Sequence, residues 1–311
     1  MSSSKVESHR IVVVGSVVLD TIHTPHGSAE ECVGGSASYA SIASSFHAPV
    51  HMVGIVGTDF PDAARQLYAD HGVDVEGLEV VEGETFRWGG KYHEDMNRRD
   101  TLFTKLNVFE HFHPKLPESY RDSEVVFLAN IHPSLQMEVL DQVRSPKFVA
   151  LDTMNLWIDI ARDDLVKALG KIDLLFLNDE EAQQLTGEGN VVAAATALRA
   201  MGPKAVVVKK GEHGAILFDQ EGGAYVQSTV LLDRVVDPTG AGDAFAGGFL
   251  GYVARVQSSD PVTLRSAMVH GTVLASYTTE EFGLDRLASL KEADISDRVE
   301  VLRKLTAWPL A

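Results

Sequence analysis

Short apolar runs recur along the chain, separated by stretches whose apolar positions fall at helical spacing. Ile11 to Val14, Val50 to Val56, Glu124 to Leu128, Phe148 to Leu151, Leu174 to Leu177 and Lys204 to Val208 are rich in branched residues and barely alternate with polar ones. Strands buried on both faces of a parallel sheet need that pattern. Gly34 to about Phe46, Asp59 to His71 and Pro261 to Tyr277 read as helices, and Ile295 to Leu305 as a peripheral terminal helix. A strand-like run from Tyr225 to Val236 leads through a glycine-rich turn into a helix running from Ala244 toward Val253. The alternation predicts an α/β fold, a doubly wound and mostly parallel sheet flanked by helices. Two stretches depart from it. Thr21 to Val33 alternates weakly around Pro25 and Gly27, and about 84–104 alternates Phe86, Trp88 and Tyr92 with polar residues before a charged segment. Both read as parts of a small β-strand lid inserted in a single domain covering 1–311.

The turn within Asp237-Pro238-Thr239-Gly240-Ala241-Gly242-Asp243 carries the first chemical signal. Small residues leave backbone N–H groups uncovered where the helix starts, and unpaired donors with the positive end of a helix dipole attract an anion. Asp243 reads equally as an N-terminal cap or as an active carboxylate. Asp20 ends an apolar segment, where it either meets water or faces a ligand. Gly34-Gly35 opens a helix, for tight packing or for close approach of a ligand to the backbone. Phe86, Trp88 and Tyr92 share one strand face, suited to stacking or to a dimer interface. Arg98 and Arg99 read as solvated or as reaching a phosphate, and His270 as a satisfied core residue.

Composition narrows the partners. The 311 residues carry a formal charge of −17 and 45% hydrophobic content, enough for a sizeable core but offering no basic surface for nucleic acid or anionic membrane. The single cysteine, Cys32, excludes an internal disulfide and reads as a small buried residue. The segment Met1 to Arg10 lacks the apolar core of a signal peptide, and no apolar run reaches ~18 residues, so a cytoplasmic location is expected. There is no G-x-x-x-x-G-K-S/T string and no zinc-spaced Cys/His cluster.

The string Asp237 to Phe249 resembles the C-terminal signature of the PfkB, or ribokinase-like, family of small-molecule kinases, and Gly34-Gly35 resembles its N-terminal glycine pair. The resemblance spans about Ile11 to Leu287. It implies that Asp243 is the catalytic base, that the N–H groups of Gly240, Ala241 and Gly242 form the anion hole, and that Asp20, Gly34 and Gly35 hold the acceptor. Asn178-Asp179-Glu180-Glu181 is similar to the family's N-x-x-E motif, which places Asn178 and Glu181 near Mg²⁺, acting through water. Lys209-Lys210-Gly211 is similar to its nucleotide-side turn, with Lys209 and Gly211 near the phosphates of ATP. Asp237 and Thr239 match positions that border a monovalent-cation site in many relatives, so K⁺ is a candidate. Two positions depart from the pattern: Tyr39 stands where relatives carry an acceptor-contacting Asn, and Asn130 where they often carry an acceptor-binding Glu.

The resemblance implies an ATP-dependent phosphotransferase acting on a hydroxymethyl group of a small sugar. A nucleoside kinase of the same fold is the alternative, favoured by the aromatic lid and by Tyr39, and relatives that pair through their lids suggest a homodimer. A third reading, a ligand-binding member without turnover, has no use for an intact base and anion hole; ATP turnover separates it from the other two.

Overall fold

The computed structural model describes residues 8–307, so most of the segment read for a leader lies outside the described residues. The apolar runs form strands β1 (Ile11–Val14), β4 (Val50–Gly57), β5 (Val73–Val81), β8 (Val125–Leu128), β9 (Phe148–Asp152), β10 (Leu174–Asn178) and β11 (Ala205–Lys209). With β12 (Ala215–Phe218) and β13 (Ala224–Gln227) they make one nine-stranded sheet in the order β13-β12-β11-β10-β9-β8-β1-β4-β5. All pairs are parallel except those made by β12 and β13. Successive side chains of β1 serve two cores. Ile11 and Val13 pack with the helices Ser36–Ser45, Ala241–Val256 and Pro261–Thr278, and Val12 and Val14 with those on the opposite face. That is why such strands read as continuous apolar runs.

The two irregular stretches fold together into a second sheet, order β3-β2-β6-β7, from β2 (Val18–Thr24), β3 (Gly27–Gly34), β6 (Arg87–Tyr92) and β7 (Arg99–Lys105). It stands over the edge of the large sheet where β1 lies between β4 and β8, the point at which the strand order reverses and open α/β sheets take their ligands. The strand expected from Tyr225 to Val236 is a correction: it ends at Gln227, because β13 is an edge strand paired only with β12. Further on, the N–H groups of Val236 and Asp237 both turn to the Thr279 carbonyl oxygen instead of to a strand. Phe86 likewise leaves the expected aromatic set, since it precedes β6 and stacks on Phe109. No described helix is long and apolar enough to cross a membrane.

His270 differs from the satisfied core residue expected. Its ring stacks on Tyr252 and meets His47 edge-on at 4.7 Å, yet its Nδ1 and both ring nitrogens of His47 have no hydrogen-bond partner. Burial, then His270 and Arg255, push His47 down to about 3, and burial with Arg255 pushes His270 down to about 4. An unfolded histidine takes its proton near ~6.5. Between there and the folded values the unfolded chain binds more protons, so stability falls as pH drops through that window and is unaffected above it. His47→Phe is therefore expected to flatten the acid limb of a melting-temperature profile below about pH 6.5 while leaving the midpoint at pH 8 equal or higher.

Candidate functional site

The Ala241–Val256 helix begins behind Gly240, whose φ of 75° is left-handed. A Cβ there would also run into the Tyr39 ring, so glycine is required twice over. Ala241 corrects one expectation: its N–H closes the turn onto the Pro238 oxygen at 3.2 Å. The N–H groups left without a partner among the described residues belong to Gly240, Gly242 and Asp243, the donors at the helix start that are free to meet an anion. Asp243 sits in the first turn and does not cap it. Burial and the nearby Asp152 push its carboxyl up to about 7, against the pull of Lys209 and Arg99.

Behind this turn the C-terminal ends of three adjacent strands converge. Lys209 closes β11 opposite Asn178 of β10, and its Nζ lies 2.7 Å from Asp152 Oδ2 at the end of β9. The same ammonium would be 3.2 Å from a Cβ on Gly242, so it rests against the backbone of the turn. Asn178 and Glu181 cap their helix reciprocally: Asn178 Oδ1 accepts from the Glu181 N–H at 2.7 Å and Glu181 Oε2 from the Asn178 N–H at 2.8 Å. The helix-dipole role of this acidic turn is thus realised, with one Glu181 oxygen left over. Burial pushes Glu181 up to about 7 as well, only partly offset by Lys209. Three carboxyl groups around one ammonium, Asp152 and Glu181 buried and Asp243 half-buried, are short of positive charge. That deficit fits a divalent cation arriving with nucleotide phosphates, held through water by Asn178 and Glu181.

On the lid side, Asp20 is 3% exposed and its carboxylate has no hydrogen-bond partner among the described residues. Burial, with Asp237 and Asp243 nearby, raises its carboxyl well above the usual range. The Asp20 carboxylate lies against Gly34 where any Cβ would stand, whereas Gly35, at φ 93°, is needed because Ser16 O approaches it. Tyr39 is 1% exposed, and its hydroxyl, buried near Asp237, Asp20, Cys32 and Tyr92, has no partner. Cys32 is only half-buried, its Sγ donating to the Asp20 backbone oxygen. The two Asp237 oxygens accept from the N–H groups of Thr239 (2.9 Å) and Gly283 (3.3 Å). Burial raises Asp237, and no cationic side chain forms an ion pair with it among the described residues, a donor set that fits a monovalent cation beside it.

The lid meets this site through one hydrogen bond and one close approach. Tyr92 Oη lies 3.0 Å from Thr239 Oγ1, and the Asn97 side chain comes up against Gly211, whose φ of 53° turns the chain after Lys209. Asn130 is not brought into the open set: its Oδ1 accepts from Trp157 Nε1 at 2.8 Å and its Nδ2 faces Met154 Sδ, so its amide is engaged within the chain. Arg99 is what sequence reasoning undervalued. Arg98 pairs with Asp95, but Arg99 begins β7 opposite Tyr92, and its charge reaches Asp20, Glu181 and Asp243. The available signal was its place across the hairpin from a lid aromatic.

A family model for pfkB family carbohydrate kinases matches residues 8–288. The chain is 32% identical over 250 residues to a cytidine kinase of Thermococcus kodakarensis, covering 79% of this chain and 88% of that one. It is 25% identical over 277 residues to a nucleoside kinase of Methanothermobacter thermautotrophicus, covering 88% and 84%. The crystal structure of a fructokinase from Vibrio cholerae, bound to fructose, ADP and calcium, superposes with a TM-score of 0.75 at 21% identity, covering 94% of this chain and 99% of that one.

Proposed function

This chain belongs to the pfkB family of carbohydrate kinases, and from that premise we propose that it transfers the γ-phosphoryl group of ATP to the hydroxymethyl group of a nucleoside. The observation that carries the reading is Asp243, a carboxyl free of hydrogen bonds and pushed up to about 7, on a helix start with three unpartnered N–H groups. A base tuned near working pH and donors aimed at developing charge are what phosphoryl transfer asks of a protein. Asp243 takes the proton of the acceptor hydroxyl as its oxygen bonds to the γ-phosphorus. The bond from that phosphorus to the bridging oxygen breaks, and ADP leaves. Gly240, Gly242 and Asp243 hold the transferring oxygens through their N–H groups, with Lys209 against the turn and Arg99 above it. Mg²⁺, when bound, neutralises the phosphate charge. K⁺ beside Asp237 and Thr239 is part of the same reading.

The acceptor follows from different support. The likeness to a cytidine kinase extends over most of both chains, and Tyr39 fills the position at which the sugar-kinase pattern has Asn. A free sugar would use every step above, so turnover decides between them. ATP consumption with Mg²⁺ is measured on ribose, fructose, 2-keto-3-deoxygluconate, adenosine, inosine and cytidine, with and without K⁺. Turnover on nucleosides is expected, and turnover on free sugars alone would overturn the acceptor. Asp20→Ala is expected to raise the acceptor KM by about tenfold, as leaving a buried hydrogen-bonding group unpaired does, with the KM for ATP within about twofold of wild type. An unchanged acceptor KM would remove Asp20 from the site.

A further inference from the structure

The strand register of the lid shows which side chains look into the site. Asp20 of β2 pairs with Cys32 of β3 and with Trp88 of β6, and Tyr92 of β6 pairs with Arg99 of β7. Paired residues project to the same side, and alternate residues of one strand share a face. Cys32, Asp20, Trp88, Gly90, Tyr92 and Arg99 therefore lie on one face, and the bond from Tyr92 to Thr239 turns that face toward Asp243. On it the Trp88 indole lies along β6 over Gly90: the nearest atoms to a Cβ on Gly90 would all belong to the Trp88 ring. Gly89, facing the other way, is covered by Phe103 instead. The glycine pair thus gives the indole a bed on which to lie flat, where a side chain would lift it off the strand. The planar guanidinium of Arg99 stands 5.5 Å from the centre of the indole.

We infer that Trp88 is the specificity-determining residue for the acceptor, its indole being the surface on which the planar base of a nucleoside stacks. The inference rests on the nucleoside reading above and names the group that carries it. Asp20 sits across the register from Trp88 and has its carboxylate free, so a pentose held by Asp20 presents its attached base to the neighbouring strand. A flat heteroaromatic ring suits the place beside a flat indole that the Arg99 guanidinium takes here, and its arrival frees that cation for the phosphates. A free pentose has no ring to put there and gains little from it.

The test uses the full chain and Trp88→Leu, which keeps bulk but removes the π surface, beside Trp88→Phe, which keeps a smaller one. With adenosine, inosine and cytidine as acceptors, Trp88→Leu is expected to raise KM by about tenfold, the usual loss on removing one stacking partner, with kcat and the KM for ATP within about twofold. Trp88→Phe is expected to stay within about threefold. Independently of turnover, cytidine without ATP is expected to quench the tryptophan emission of the wild type but not that of Trp88→Phe, a readout that holds even if the leucine variant folds poorly. Nucleoside turnover with an unchanged KM in Trp88→Leu, or quenching that survives in Trp88→Phe, would overturn the role of Trp88 and leave the nucleoside reading intact. A wild type that phosphorylates only free sugars would overturn both.

Discussion

Asp243→Asn lowers kcat by about three orders of magnitude, within the range lost when a general base is removed from a positioned reaction, while ATP binds nearly as before. The asymmetry follows from the geometry. The substitution deletes the proton acceptor and keeps the N–H groups of Gly240, Gly242 and residue 243, which are backbone. Isothermal titration of ATP alongside single-turnover kinetics checks both halves, and a near-normal kcat would remove Asp243 from the chemistry. The wild-type profile has a sign as well. Asp243 accepts a proton only when ionised, so kcat/KM should climb as pH rises through about 7. Glu181, pushed to the same region chiefly by burial, loses its proton over the same range. A saturating divalent cation should draw the limb to lower pH, because positive charge favours the ionised forms of both.

Lys209→Met destabilises the fold by about 3–5 kcal/mol, the cost of leaving the partner of a buried ion pair unpaired. Burial holds Asp152 above its ordinary range even with the ammonium at 2.7 Å. Burial also works against the charge on Lys209, but Asp152, Glu181 and Asp243 outweigh it and keep the ammonium protonated. Without that ammonium, Asp152, Glu181 and Asp243 are left with only the weaker pull of Arg99 on the last two. Denaturant unfolding of the single variant and of Lys209→Met combined with Asp152→Asn makes the check. The second change should return much of the lost stability, since it removes the stranded charge. A single variant as stable as wild type would mean that the pair contributes nothing to folding.

The large sheet was legible because strands buried on both faces leave continuous apolar runs, as at Ile11–Val14 and Leu174–Asn178. The run after Tyr225 misled for a physical reason: Val230 and Leu232 reach the core from irregular backbone while Leu231 stays exposed, the Val236 N–H ends on Thr279, and composition does not report hydrogen-bond partners. Asp20, Asp243 and Lys209 were readable as members of a motif. Which N–H groups stay free was not, because a single bond from Ala241 to Pro238 shifts the set by one residue. Asp152 lies at the end of a short strand, where a carboxylate can cap the next helix or support a site, and only the three-dimensional approach of Lys209 distinguishes the two. Arg99 stayed hidden because its role depends on a hairpin register that a bulge in β6–β7, between Gly89 and Gly90, displaces.

The contact between Tyr39 and Gly240 has a bearing on how this protein could evolve or be redesigned. Tyr39 belongs to the proposed acceptor side, yet its ring fills the space a Cβ on Gly240 would need in the turn proposed to receive phosphate. A change of packing made at Tyr39 would therefore loosen the turn at Gly240, and a larger residue at 240 would still meet a left-handed backbone after Tyr39 had shrunk. Redesign through Tyr39 therefore has to rebuild the packing against Gly240 as well, whereas redesign at Trp88 in the lid leaves that contact in place.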